Sequence, residues 1–305
     1  MGTERSAVAA ATAFARARED RRMAGTPGAL ERFSPATRAW FESAFAAPTP
    51  AQAGAWDAIA SGEDALVVAP TGSGKTLAAF LWSLDRLAVR TPPAPTASPQ
   101  DRLRVLYVSP LKALAVDIER NLRSPLTGIT QAAARIGLDP PDITVGVRTG
   151  DTPANERRRF LSAPPDILIT TPESLFLLLT SRARESMRAV DTVILDEIHS
   201  VAGTKRGSHL ALSLERLDAL LPHPAQRIAL SATVRPVDEV ARFVGGVRTP
   251  VIVQASTADK IYDLSVVVPV EDMTAPGGPE LEELTGGQAS DPVERSSVWP
   301  HLEGR

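Results

Sequence analysis

Apolar residues along this chain recur in two alternating patterns. Short runs rich in Val, Ile and Leu fall at 66–68, 105–108, 143–147, 167–170, 193–195 and 228–230. Between them, apolar positions repeat with a helical period over 51–60, 75–89, 112–123, 153–161, 173–180, 208–221 and 236–243. Strand–helix alternation with short turns predicts an α/β fold, a parallel sheet with helices on both faces. Ligands of such a sheet sit at the carboxyl ends of its strands. Residues 251–253 and 264–270 read as a last strand and the start of a connection. Residues 91–100, rich in Pro, Ala and Ser, read as a surface loop. Three segments are expected: an N-terminal arm or helix over 1–32, one α/β domain over 33–255, and a linker over 256–305.

The first strand runs into Ala69-Pro70-Thr71-Gly72-Ser73-Gly74-Lys75-Thr76. Strand, glycine loop and helix is the context of a phosphate-binding loop. Gly72 and Gly74 let backbone N–H groups turn toward phosphate oxygens, and the helix N-terminus adds a favourable partial charge. Lys75 can reach the outer phosphates, and Thr76 can offer a hydroxyl to Mg²⁺. Ala69 stands where the usual pattern has Gly. A plain Gly/Ser turn is the competing reading, and the Lys-Thr pair with its flanking elements argues against it.

A second strand ends in Asp196-Glu197-Ile198-His199. An Asp at that position beside a phosphate loop can hold Mg²⁺, and the adjacent Glu can deprotonate an attacking water. Alone, the pair is an ordinary polar strand end. Together with the phosphate loop it points to a nucleoside triphosphatase. Four more strand-end turns stand out: Ser109-Pro110-Leu111-Lys112-Ala113-Leu114, Arg148-Thr149-Gly150-Asp151, Thr170-Thr171-Pro172-Glu173-Ser174 and Ser231-Ala232-Thr233. Each has a local explanation, because Ser, Thr and Asp cap helices and Pro starts them.

Composition narrows the class. The 305 residues are 43% hydrophobic, enough for a substantial core, yet no stretch reaches the roughly 18 apolar residues of a membrane span. No signal peptide is evident at the N-terminus. The absence of cysteine excludes disulfides and Cys-ligated metals and fits a cytoplasmic protein. Net charge is −3, unevenly spread: residues 271–305 hold eight acids and two bases, which leaves 1–270 mildly positive. That permits contacts with nucleic-acid phosphates without demanding them. Only four lysines occur, Lys75, Lys112, Lys205 and Lys260. The run Arg157-Arg158-Arg159 reads as a solvated helix face.

With these motifs in this order, the chain resembles the superfamily 2 helicases of the DExH type. Residues 69–76 match motif I, 109–114 motif Ia, 171–174 motif Ib, 196–199 motif II and 231–233 motif III. Pro48-Thr49-Pro50-Ala51-Gln52 resembles the upstream Q motif. The stretch Val201-Ala202-Gly203-Thr204-Lys205-Arg206-Gly207-Ser208-His209-Leu210 looks like the large helicase-related (Lhr) family. So do residues 109–121 and 150–158.

This resemblance implies a RecA-like P-loop domain and an ATP-dependent translocase on single-stranded or partly duplex DNA, with RNA–DNA hybrids as further substrates. It implies ATP and Mg²⁺ as cofactors. Gln52, Thr71, Gly72, Ser73, Gly74, Lys75 and Thr76 would contact the nucleotide, with Gln52 on the adenine edge. Thr76 and Asp196 would serve Mg²⁺, and Glu197 would act as general base. His199, Ser231 and Thr233 would couple the nucleotide site to the strand-binding face. Pro110, Lys112, Thr149, Gly150, Thr171 and Pro172 would line the tracked strand. The family hydrolyses ATP between two such domains, and no motif IV to VI follows residue 243, so a second RecA-like domain is an expected partner. Two alternatives stand beside this reading: a stand-alone nucleotide-binding module, and an RNA-remodelling DExH helicase.

Overall fold

The computed structural model describes residues 28–90 and 98–254. The expectations for residues 1–27, 91–97 and 255–305, including the linker, lie outside the described residues. The elements in chain order are α1 (Pro35–Ala44), α2 (Pro50–Ala60), β1 (Ala65–Val68), α3 (Lys75–Ala88), β2 (Val105–Val108) and α4 (Lys112–Arg135). Then come β3 (Val145–Arg148), α5 (Ala154–Ser162), β4 (Ile167–Thr170), α6 (Pro172–Leu179), β5 (Thr192–Leu195), α7 (Lys205–Asp218), β6 (Gln226–Ser231), α8 (Val237–Gly245) and β7 (Val251–Gln254).

The seven strands form one sheet in the order β3-β4-β2-β5-β6-β1-β7, and every neighbouring pair is parallel. Successive side chains of a strand point to opposite faces, so each apolar run feeds two cores. Ala65, Val67, Val105, Tyr107, Ile194 and Ile228 pack under α1 to α4. Leu66, Val68, Leu106, Val108, Val193 and Leu195 pack under α5 to α8. The predicted α/β architecture, with both faces of the sheet covered, is the observed one.

Three elements differ from expectation. Helix α1 was not foreseen; Ser34 caps it by accepting from the Thr37 N–H, Pro35 sits in its first turn, and Trp40 and Phe41 are buried. Helix α4 continues past residue 123 and runs through Pro125 to Arg135. Proline inside a helix costs about 3 kcal/mol, and here Ile129, Ala132 and Ala133 extend the same buried stripe as Ile118 and Leu122. The apolar face, not local propensity, sets the length of this helix. Helix α7 begins at Lys205, three residues early, because Thr204 is its cap.

Two buried polar anchors tie helices to one another and to the sheet. Trp56 of α2 is fully buried and donates from its indole to the Ala78 carbonyl at 3.0 Å, pinning the helix that follows the phosphate loop. At the opposite, amino edge, Arg227 of β6 is buried. It donates to Asp218 at 2.8 Å, Glu215 at 2.9 Å and the Val244 carbonyl at 2.8 Å, while its backbone N–H reaches Asp64 at 2.7 Å. Arg248 approaches both Asp64 and Asp218. Removing one member of a buried ion network strands the others, so Arg227→Met is expected to cost about 3 kcal/mol in urea unfolding. A loss below about 1 kcal/mol would show that the surrounding carboxylates reach water instead.

Candidate functional site at the carboxyl edge of the sheet

The sheet order divides the sequence motifs into two adjoining strips. The loops after β1, β5 and β6 are neighbours and hold motifs I, II and III. The loops after β2, β4 and β3 are neighbours and hold Pro110, Lys112, Thr149, Gly150, Thr171 and Pro172.

In the first strip, Gly72 and Gly74 both have φ near +80°, a left-handed conformation that costs glycine little. Lys75 is buried, and its ammonium donates to the carbonyls of Ala69 at 2.6 Å and Pro70 at 2.8 Å. Burial lowers the Lys75 pKa, and the nearby Glu197 and Asp196 charges oppose that shift. The Ser73 hydroxyl is buried without a hydrogen-bond partner. Thr71 is exposed at the loop tip, and Thr76 lies half-buried in the first turn of α3.

Gln52 sits behind this loop rather than on open surface. Its Oε1 accepts from the Thr49 N–H at 2.9 Å, closing a capping box with the Thr49 hydroxyl, which itself donates to the Ser73 carbonyl at 2.9 Å. Its Nε2 lies 3.5 Å from the Gly74 carbonyl. A Cβ on Gly74 would come within 2.6 Å of that nitrogen and displace it, and the φ of +80° strains any other residue there.

Asp196 directly follows β5, buried, and its Oδ1 accepts from the Glu197 N–H at 2.9 Å. Burial raises its pKa; the Tyr107 hydroxyl beside it works the other way. Burial in turn pushes the Tyr107 hydroxyl well above its usual value, with the Asp196 charge adding to the shift. Glu197 has φ +43° and ψ +41°, the one non-glycine positive φ among the described residues. That strain is of order 1–3 kcal/mol and is characteristic of functional turns. His199 bridges two motifs. Its Nδ1 accepts from the Ala232 N–H at 3.2 Å, and its Nε2 lies 3.4 Å from Glu197 Oε2. An accepting Nδ1 leaves the proton of the neutral ring on Nε2, facing the carboxylate. Ser231 is buried, its carbonyl accepts from the Ala69 N–H at 3.2 Å, and Thr233 is exposed.

In the second strip, Pro110 is buried and Lys112 is exposed, with its Nζ 2.8 and 3.0 Å from the two Asp151 oxygens. Thr149 donates its N–H to Thr152 Oγ1 at 2.8 Å, and Gly150 is exposed beside it. Thr171 is buried and caps α6 by accepting from the Ser174 N–H, with Pro172 in the first helical turn. The arginine run needs one correction. Arg158 lies on an open helix face, whereas Arg157 donates to the Thr152 and Gly150 carbonyls, each at 2.7 Å. Arg157 therefore braces the Gly150 turn. Sequence reasoning also gave no role to Tyr107, Thr49 or Arg206; only Gly207 beside Arg206 hinted at a close approach.

A phosphate loop, an Asp-Glu strand end and a second strip of capped turns along one sheet edge define the motor-domain layout of a RecA-like nucleoside triphosphatase. The chain belongs to the DEAD/DEAH box helicase family, which matches residues 49–240. It is 60% identical over 276 residues to "Lhr helicase/ probable uracil glycosylase" of Mycolicibacterium smegmatis, covering 90% of this chain and 17% of that protein. It is 53% identical to "Lhr helicase/uracil glycosylase" of Escherichia coli, covering 89% of this chain and 17% of that one. The fold superposes with TM-score 0.71 on Mycobacterium smegmatis helicase Lhr bound to ssDNA and AMP-PNP, at 60% identity, covering 90% of this chain and 32% of that one. The chain thus spans about a sixth of the length of these two curated relatives.

The buried charge at Asp196 has a measurable consequence. Because its folded pKa is raised, the stability this group contributes is full at low pH and is lost as pH rises through that pKa. Asp196→Asn keeps an acceptor for the Glu197 N–H and removes the charge. It is expected to raise the thermal midpoint at neutral pH, with the gain shrinking as pH falls through the raised pKa. An unchanged midpoint at neutral pH in scanning calorimetry would refute the burial penalty.

Proposed function

We propose that this chain is the ATP-binding half of a helicase that moves along single-stranded nucleic acid, DNA by preference. The observation that carries this reading is the adjacency of the two strips on one edge, with His199 hydrogen-bonded to motif III and facing Glu197. Residues 33–255 are assigned to the motor domain. A cytoplasmic setting rests on the absence of cysteine, and a role in DNA repair on the family resemblance.

The residues fit a nucleoside triphosphate with its cation. The Lys75 ammonium has only neutral backbone carbonyls as its direct hydrogen-bond partners, and the Ser73 hydroxyl is an unfilled donor within the same loop. Both suit an anion with several oxygens. Lys75 and the N–H groups of 71–76 would grip the phosphates, and Thr76 and Asp196 would hold Mg²⁺. Bound Mg²⁺ supplies charge neutralisation for the transferred phosphoryl group. Few protein ligands are needed, since Mg²⁺ keeps much of its water. Glu197 takes the proton of the attacking water, and the Nε2–H of His199 orients its carboxylate. Gln52, with Oε1 spent on the Thr49 N–H and one Nε2 hydrogen turned to the Gly74 carbonyl, would offer its second Nε2 hydrogen to an adenine acceptor.

In the second strip, Thr149, Gly150, Thr171 and the Pro110 and Pro172 turns would meet the sugar–phosphate backbone, and Lys112 would add a charge. Such contacts carry no base sequence and weaken with salt. Arginines from the second domain would stabilise the transferred phosphoryl group, a contribution worth roughly 10³ to 10⁵ in rate.

These roles separate in experiment. On the 305-residue chain, ATP binding is expected with very little turnover, and Lys75→Ala is expected to weaken the binding. In the protein with both motor domains, Glu197→Gln is expected to keep ATP affinity and to lower DNA-stimulated hydrolysis by about 10² to 10⁴. Undiminished turnover by that variant would assign the base elsewhere.

A further inference from the structure

The segment between motif II and α7 leads to a side chain with no role assigned above. From Glu197 the backbone descends through a continuous ladder of turns. Ser200 N–H bonds to Glu197 O at 2.9 Å, Val201 N–H to Ile198 O at 3.1 Å, and Thr204 N–H to Val201 O at 2.9 Å. Thr204 then caps α7, accepting from the Gly207 N–H at 3.2 Å and donating to the Val201 carbonyl at 2.8 Å. Gly207 is packed so tightly against this ladder that a Cβ would lie 2.1 Å from the Val201 oxygen. The first turn of α7 is therefore locked to the motif II turn.

Arg206 projects from that locked turn. Its Nε donates to Glu173 Oε1 at 2.6 Å, and one terminal nitrogen donates to Glu173 Oε2 at 3.2 Å and to the Pro110 carbonyl at 2.9 Å. Glu173 lies in the first turn of α6, directly after Thr171 and Pro172. Pro110 lies in the turn after β2. One guanidinium thus ties motif Ia to motif Ib and joins both to the turn that carries Glu197. The planar fork suits this task, because it can hold a carboxylate bidentately while a third N–H reaches a carbonyl.

We propose that Arg206 is a positioning residue for single-stranded nucleic acid. It sets the spacing of the Pro110 and Thr171 turns and ties that spacing to the motif II turn, without itself touching the strand. The inference rests on the strand-binding role proposed above for those turns. In keeping with the pairing, the Arg206 guanidinium beside Glu173 holds that carboxyl below its usual pKa.

Fluorescence anisotropy of the 305-residue chain with labelled oligothymidylate, over a range of salt, tests it. Arg206→Ala is expected to weaken binding roughly tenfold, within the usual size of a coupling between sites. Arg206→Lys, which keeps the charge and loses the fork, is expected to behave like Arg206→Ala. Glu173→Gln is expected to weaken binding too. If Arg206 instead contacted phosphate directly, Glu173→Gln would free the guanidinium and tighten binding. Arg206→Ala would then flatten the salt slope by about 0.7, the share of one phosphate on a single strand. Either result overturns the positioning role, as does unchanged affinity in Arg206→Ala. Binding of a fluorescent ATP analogue, expected to stay within about twofold, checks that each variant is folded with its nucleotide site intact. No binding of the oligonucleotide by the unaltered chain would overturn the strand-binding reading itself, and this inference with it.

Discussion

Every strand of the sheet runs the same way, and the rest of the molecule follows from that constraint. Parallel neighbours cannot be joined by a tight hairpin, so each connection must cross a face of the sheet, and most do so as a helix. All strand carboxyl ends then lie on one edge, and so do the amino ends of helices α3, α4, α6 and α7. Helix amino ends offer unpaired N–H groups and partial positive charge. One edge of the domain is therefore preset for anions along its whole width before any particular side chain is chosen. The opposite edge has no such use, and there the chain buries the Arg227 network instead.

Within that edge the two strips are built differently. The nucleotide strip is tense: an ammonium and a carboxylate are buried near each other, a hydroxyl has no partner, and Glu197 is held at positive φ. Each feature lowers the stability of the free domain, and each is relieved or used when phosphate and cation arrive. The second strip is relaxed by comparison. Its turns are capped, and they are cross-braced by Lys112 with Asp151, Arg157 with Gly150, and Arg206 with Glu173. Under the proposed function, a strip that keeps a fixed spacing toward a polymer gains from bracing, whereas a site that changes with each catalytic cycle gains from stored strain.

What was legible in the sequence divides along the same line. The phosphate loop and the Asp-Glu strand end depend on chemistry confined to a few consecutive residues, so Gly72, Gly74, Lys75 and Asp196 could be read directly. The central strands were readable because β1, β2 and β4 are buried at every position, on both faces. The extension of α4 through Pro125 was not, because local propensity says stop, and only the buried stripe through Ile129 says continue. Helix α1 escaped notice although Ser34-Pro35 is a sound helix start. The Thr49–Gln52 capping box and the Arg157 brace are local, within one helix start and one turn, whereas the reach of Arg206 to Glu173 and Pro110 depends on which turns become neighbours, and sheet order is not written in any local pattern.

That order has a consequence for how the chain is made. Strands β2, β3 and β4 are close together in sequence and pair among themselves, with β5 joining soon after. Among the described residues β1 pairs with none of them: its partners are β6 and β7, so Ala65 pairs with Ile228 and Val251. During synthesis β1 and the loop behind it emerge early and must wait, apolar and unpaired, until most of the domain has been translated. The half built on β2 to β5 can assemble as a nascent unit, and the half that carries the phosphate loop closes last. A polypeptide released before β6 would expose an uncovered apolar strand, the kind of edge that invites aggregation.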